Sequence, residues 1–251
     1  MQPFADHFSA IAAAYAAARP TYPPALFAYL AQLAPARRRA WDCAAGNGQA
    51  TLPLAQYFDE VVGTDASAEQ IAEMAAHPRV RHYTAPADAS GLPDDSVDLV
   101  TVAQALHWLP LPAFWAEARR VLGDGGIVAV WCYGIQRVDQ AEVDRRLQAF
   151  YGEVVGPYWA PERRLVEAGY RTLEFPFEEL APPSFDMALE WTLPELLAYV
   201  RTWSATSRFV SERGFDPVEQ LGPELEPHWG PGACRVSWPL SLRVGRSHRP
   251  G

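Results

Sequence analysis

Residues 41–49 read Trp41, Asp42, Cys43, Ala44, Ala45, Gly46, Asn47, Gly48, Gln49, and this stretch decides the fold. It begins as an apolar strand carrying one acid, Asp42, and ends in a turn of small residues. Ala44, Gly46 and Gly48 leave room for backbone amides to close on a ligand, which bulkier side chains would block. The helical stretch expected at residues 49–57 starts with amides that lack intrahelical partners, so an anionic or strongly polar group is favoured there.

Outward from this turn, short apolar runs at residues 40–44, 60–64, 80–84, 97–103 and 126–133 alternate with helix-like stretches at 68–76 and 112–122. That alternation predicts a parallel sheet covered on both faces, a Rossmann-like core. Before it, Phe4, Phe8, Ile11 and Tyr15 lie on one helical stripe over residues 4–19, and a second helix over 25–34 follows Pro20, Pro23 and Pro24. After it, helices are expected at 139–151, 162–168 and 193–205, a strand at 171–177, and a closing strand at 234–244. The expected organisation is an N-terminal helical cap (1–38), a cofactor-binding core (39–133) and a remainder of the same domain (134–251) with substrate-lid insertions and closing strands.

Asp65 ends the second strand roughly twenty residues past the glycines, where a carboxylate can accept both hydroxyl protons of a ribose. Nicotinamide enzymes use the same spacing, so an oxidoreductase is an alternative at this point. Asp42 tips the balance, because a carboxylate inside a strand needs partners and implies a polar group above it. Thr51 also stands where a dinucleotide motif has its third glycine. Asp88, in Ala87, Asp88, Ala89 after the third strand, can face the exocyclic amine of an adenine.

Residues 42–49, Asp65, 87–89 and the run 93–100 together resemble class I S-adenosylmethionine-dependent methyltransferases. Tyr15 with Arg19, Pro20, Thr21, Tyr22 and Pro23, and Gln104, Ala105, Leu106, His107 and Trp108, are similar to the methyltransferases related to trans-aconitate methyltransferase. The fold expected with this resemblance is a doubly wound, mostly parallel seven-stranded sheet with an antiparallel last strand and a helical lid. The resemblance implies that Ala44, Gly46 and Gly48 line the methionine part of S-adenosyl-L-methionine, Asp65 holds the ribose, and Asp88 with Ala89 contacts the adenine. The expected donor-binding set also takes in Tyr15, Arg19, Asp42, Asn47, Gln49, Ala66, Gln70 and Gln104. Ala44 departs from the glycine usual at its position.

Methyl transfer from a sulfonium is an in-line displacement that asks the protein to hold three atoms in line, with no metal and no covalent nucleophile. A carboxylate acceptor is already ionised and needs no base, whereas a hydroxyl or amine acceptor wants one. His107, at the carboxyl end of the fourth strand, is the histidine placed to serve; the alternative is that His107 and Trp108 cap the strand and pack on the next helix. Arg19 can pair with a carboxylate of donor or acceptor through its planar fork. Trp108, Tyr133 and Trp159 are the expected substrate-binding residues, although most aromatics after the fifth strand read as packing.

The 21 cations are all arginine, so a Schiff-base or phosphate-loop lysine is excluded. A formal net charge of -9 repels nucleic acid and anionic membranes; the expected partner is a small-molecule substrate, and the resemblance implies a carboxylate metabolite. Cys43, Cys132 and Cys234 are widely spaced and read as buried free thiols. Asp94, Asp95 and Asp98 read as a solvated turn rather than a metal site, and Arg37 to Arg39 as a solvated charge cluster. The chain is expected to be soluble and cytoplasmic; a cofactor-binding module without catalysis is the alternative from a different functional class.

Overall fold

The alternation of apolar runs and helical stretches up to Tyr133 becomes a chain of β–α units in the computed structural model, which describes residues 20–248. Tyr15, Arg19 and the expected helix at 4–19 lie outside the described residues. With labels in chain order, α1 (Pro24–Leu33) leads to β1 (Arg39–Cys43), α2 (Thr51–Leu54), β2 (Glu60–Asp65), α3 (Ala68–Ala72) and β3 (Val80–Thr84). Then come β4 (Val97–Ala103), a 3-10 turn (Leu106–Trp108), α4 (Leu111–Val121) and β5 (Leu122–Tyr133). The described residues fall into two compact units.

The larger unit runs over Tyr22–Gly134 and Arg164–Asp186 and takes up the chain again from Pro239. Its sheet has seven strands in the order β3-β2-β1-β4-β5-β10-β7, the last two being β10 (Leu240–Arg246) and β7 (Glu178–Leu180). The first five pair in parallel, and β10 runs antiparallel to both β5 and β7. The chain moves outward from β1 to β3 and then returns to place β4 beside β1. The loops after β1 and β4 therefore leave the sheet in opposite directions, which opens a crevice at the carboxyl ends of the strands.

Central strands explain the unbroken apolar runs. In β4 every residue from Val97 to Val102 is buried, as expected for a strand covered on both faces. Trp41 is wholly buried beside Phe114, with ring centroids 6.1 Å apart, and its indole donates to the Thr64 hydroxyl at 2.9 Å. Burial of a tryptophan whose polar atom is satisfied favours the folded state without leaving an unpaired donor.

The smaller unit, described over Ile135–Arg163 and Met187–Trp238, is built around β6 (Arg137–Val138), β8 (Ala188–Trp191) and β9 (Cys234–Ser237), an antiparallel sheet in the order β6-β9-β8. Its helices are α5 (Ala141–Ala149), α7 (Leu193–Arg201), α8 (Ser204–Arg213) and α9 (Val218–Trp229); α6 (Arg163–Glu167) spans the boundary between segments of the two units. Trp191, Tyr199, Trp203 and Trp238 pack edge to face in its interior, for example Trp191 on Trp238 at 4.9 Å. These aromatics are packing residues.

The expectations after Tyr133 need three corrections. The closing strand of 234–244 is two strands, β9 and β10, in two different sheets, because Pro239 interrupts the ladder while the alternation of side chains continues across it. The helix of 193–205 stops at Arg201, since Trp203 adopts an extended backbone and starts α8 instead. The strand of 171–177 is irregular chain; Phe175 and Phe177 pack on the core without joining a ladder, and pairing begins only at Glu178. The three cysteines are buried and none of them is in a disulfide. No helix among the described residues is long and apolar enough to cross a membrane.

Candidate active site

Asp42 sits on β1 with no exposed surface. Its two oxygens accept from the Thr51 hydroxyl at 2.6 Å and the Thr101 hydroxyl at 2.7 Å. The expectation that Asp42 implies a polar group above it is thus met from within the chain: a hydroxyl from the turn after β1 and another from β4. Burial pushes its carboxyl up to about 6, the two hydroxyls oppose that shift, and the charge of Asp65 adds to it. Thr51, noted only as a missing glycine, is the residue that lets this acid live inside the sheet.

Asp65 ends β2 and does different work. One oxygen accepts the Gly46 amide and the other the Ser67 amide, both at 2.9 Å. A single half-buried carboxylate thereby ties the turn after β1 to the turn after β2. Ala45 adds a backbone bond to Thr64 at 2.9 Å, so the two turns share one geometry.

The small residues divide by task. Ala44 and Gly46 both have left-handed backbone, at φ 56 and 55. A Cβ built on Gly46 would meet only the Gln70 amide oxygen, at an ordinary contact distance of 3.5 Å, so no packing closes the space beside it. A side chain on Gly48 would strike Met74 at 2.8 Å. Gly48 therefore serves packing, while Gly46 keeps space open. Asn47 and Gln49 are half-buried in the same turn, and Ala66 and Gln70 are exposed beside Ser67. The helix after the turn, α2, is only four residues long and contains Pro53, so the amides of the turn itself, rather than a helix dipole, are the polar feature here.

Asp88 and Ala89 are exposed on the turn after β3. Beneath them Ser90 is wholly buried, with its amide and hydroxyl both bonded to Glu117 of α4. Gln104, at φ 58 after β4, uses its side-chain amide on the Tyr133 backbone: its oxygen accepts from the Tyr133 amide at 3.0 Å and its nitrogen donates to the Tyr133 carbonyl at 3.3 Å. His107 lies in the 3-10 turn, and its Nδ1 is 2.9 Å from the hydroxyl of the buried Tyr170. Trp108 is 60% exposed, with its ring tilted 45° to that of His107 at a centroid distance of 4.7 Å. Tyr133 is buried at the end of β5, with its ring 6.3 Å from Tyr22.

Of the two clusters read as solvated, Arg37, Arg38, Asp94 and Asp95 are exposed, and Asp98 is the exception. Asp98 is buried and accepts from the Arg38 and Arg39 amides and from the Arg38 guanidinium at 3.0 Å. Asp94 pairs with Arg120 at 2.5 Å. Trp159 belongs to the smaller unit, where its ring lies 4.9 Å from Tyr151 and beneath the Arg163 guanidinium at 4.8 Å. Thr101, Ser67, Ser90, Glu117 and Tyr170 were not singled out by sequence. Of these only Glu117 carries a signal, as an acid set among the apolar Phe114, Trp115, Ala118 and Val121 of one helix.

A Rossmann-like sheet with this strand order, with an acid inside β1, one ending β2 and one on the turn after β3, defines a cofactor-binding α/β protein. Residues 41–130 match a methyltransferase domain family. A protein of Dictyostelium discoideum named as a methyltransferase is 32% identical over 227 residues, covering 88% of this chain and 86% of that one. An uncharacterized methyltransferase of Mycobacterium tuberculosis is 34% identical over 224 residues, covering 85% and 84%. The solved structure of a protein described as a type II methyltransferase from Anaeromyxobacter dehalogenans shares 44% identity and a TM-score of 0.87, covering 92% of this chain and 99% of that one. The chain belongs to the methyltransferase family, as a class I enzyme that uses S-adenosylmethionine, which removes the nicotinamide alternative.

Proposed function

We propose that the chain methylates a carboxylate on a small metabolite, and that the donor lies across the turns after β1, β2 and β3. The observation that carries the donor site is Asp65, whose two oxygens bind the amides of both neighbouring turns. The chemistry of the residues fits the donor. Gly46 is uncrowded, with only the Gln70 amide oxygen within contact of a built Cβ, and Ala66, Asp88 and Ala89 are small or acidic and solvent-facing. In this reading Ala44, Gly46 and the turn amides take the methionine part, Asp65 the ribose and Asp88 with Ala89 the adenine. Asp42 acts one step further back: it fixes Thr51, and with it the end of the turn, where α2 begins.

When bound, S-adenosylmethionine supplies a methyl group already activated on a sulfonium. The protein then has to align the acceptor and exclude water. The resemblance of 104–108 and of 19–23 to enzymes related to trans-aconitate methyltransferase supports an acid acceptor. An ionised carboxylate needs no proton removed, so His107 and Tyr170 orient rather than titrate. For a hydroxyl or amine acceptor, His107 becomes the proton acceptor. The two cases separate on one substitution: with a carboxylate acceptor His107→Ala keeps turnover within about ten-fold, and with a protonated acceptor it loses about 100-fold or more. The test of the substrate class is a screen with labelled donor, first di- and tricarboxylic acids, then amines and phenols. Label in an acid ester is the expected result; label only in an amine or phenol contradicts the acid reading.

A further inference from the structure

The turn that carries Asp88 and Ala89 is twelve residues of irregular chain, 85–96, between β3 and β4. No ladder holds it. Instead, two residues of α4, Glu117 and Arg120, bond Ser90, the Leu92 carbonyl and Asp94 at its centre, and Tyr83 and the Ser90 hydroxyl supply the other bonds there. Ser90 donates both its amide, at 2.8 Å, and its hydroxyl, at 2.5 Å, to one oxygen of Glu117. The Ser90 hydroxyl also accepts the Leu92 amide at 3.1 Å, and the Ser90 carbonyl accepts the Tyr83 hydroxyl at 2.8 Å. Arg120 grips Glu117 with two nitrogens, both at 2.8 Å, and spends what remains on the Leu92 carbonyl at 2.8 Å and Asp94 at 2.5 Å.

Charge-assisted, bidentate bonds of this kind fix geometry as well as supplying energy. Glu117 is buried, and its carboxyl is held down to about 2, chiefly by the hydrogen bonds from Arg120, with burial opposing. It is therefore ionised whenever the protein is folded near neutral pH. A buried, ionised carboxylate one helix away from the candidate site is costly unless its partners need it. The partners here are the backbone on either side of the exposed Asp88 and Ala89. From Ser90 to Asp94 the turn is pinned, while the residues just before it are left facing solvent.

We propose that Glu117 and Arg120 are positioning residues for donor recognition: they hold the turn after β3 so that Asp88 and Ala89 present one fixed face to the adenine. This inference rests on the donor reading given above. Neither residue touches the donor in it; both act through Ser90 and Leu92. The consequence is specificity as well as affinity. A fixed carboxylate at Asp88 distinguishes an adenine, which offers an exocyclic amine, from a hypoxanthine, which offers a carbonyl. A loosened turn loses that distinction first.

Calorimetry with S-adenosylhomocysteine and its inosine counterpart tests the proposal on the full chain. Glu117→Gln keeps the shape of the side chain but puts an amide nitrogen where one of the accepting oxygens was. Its affinity for S-adenosylhomocysteine is expected to fall about ten-fold, and its preference for the adenine form over the hypoxanthine form to shrink by a similar factor, while kcat at saturating donor stays within about two-fold. Ser90→Ala, which removes one hydroxyl and no charge, is expected to move both quantities in the same direction by about three-fold, and it provides the reading should Glu117→Gln fail to fold. Folded variants that melt earlier yet keep wild-type affinity and base preference would make Glu117 a stability residue only and overturn the proposal. Asp88→Asn separates the two layers. If it leaves base preference intact, the adenine assignment itself is wrong and the proposal falls with it; if it abolishes the preference and Glu117→Gln does not change it, the positioning role alone is wrong.

Discussion

The interior of the sheet and its carboxyl edge each hold an aspartate, on adjacent strands of the same larger unit, and the two are used in opposite ways. Asp42 pairs in register with Gly63 on β2, two residues short of Asp65. It is fully buried and its bonds go to two side-chain hydroxyls. Asp65 is half-buried and its bonds go to two backbone amides of turns. Inside the sheet a carboxylate is a fastener, whose removal strands buried hydroxyls; at the edge it is a template for the turns. The difference teaches that an acid in the glycine-rich region is assigned by what its oxygens bind, not by its place in a motif.

The largest effect is expected from the fastener. Asp42→Ala leaves the Thr51 and Thr101 hydroxyls buried without their acceptor, at a cost of about 3 kcal/mol in urea unfolding. Asp65→Ala tests the other half: stability changes by about 1 kcal/mol, because the freed amides reach water, while donor affinity falls on the order of 10- to 100-fold. Equal stability losses at the two positions would erase the distinction.

A pH titration sharpens it. The carboxyl of Asp42 is raised to about 6 in the folded state from an ordinary value near 3.8. The folded state therefore binds more protons than the unfolded state between those values, and this group makes the protein less stable as pH rises through that window. Asp42→Asn is expected to flatten that slope, a change on the order of 1–3 kcal/mol between pH 4 and 6. Glu117, held down to about 2, has the opposite sign: its contribution is complete above the usual carboxylate range and is lost as pH falls from there toward 2. Unfolding midpoints across pH 2–7 for the two variants check both signs.

The smallest effect concerns Ala44. Its left-handed backbone, φ 56, costs an alanine roughly 1 kcal/mol that a glycine does not incur. Ala44→Gly, which restores the residue usual in the family resemblance, is expected to raise stability by about 0.5 kcal/mol after the added freedom of the unfolded chain is counted. Thermal melts of the pair measure it.

Up to Tyr133 the fold was legible because every strand pairing but the one crossover, β1 with β4, joins strands consecutive in sequence, so local periodicity and burial agree; β3 and β4 run over the residues read from the sequence. Beyond Tyr133 the chain leaves the larger unit and returns to it, and Cys234 to Arg246 changes sheet at Pro239 without breaking its alternation. Periodicity reports a side chain's face and not which sheet owns the strand. The candidate site shows the same boundary. Asp42, Asp65 and the small residues stood out because acids and glycines are rare in strands and turns that must be tight. Thr101 and Ser90 did not, since a hydroxyl in a strand or turn is commonplace and only the fold brings each to its carboxylate. Gln104 was read as a donor contact, and the fold commits its side-chain amide to the Tyr133 backbone.

Donor binding by the purified chain and by its Asp65→Ala variant, measured side by side by calorimetry with S-adenosylhomocysteine, tests the edge-acid assignment most directly. Saturable binding to the native chain, weakened at least about ten-fold in a variant that still unfolds cooperatively, is the expected result. Equal affinity in the two folded proteins would contradict it.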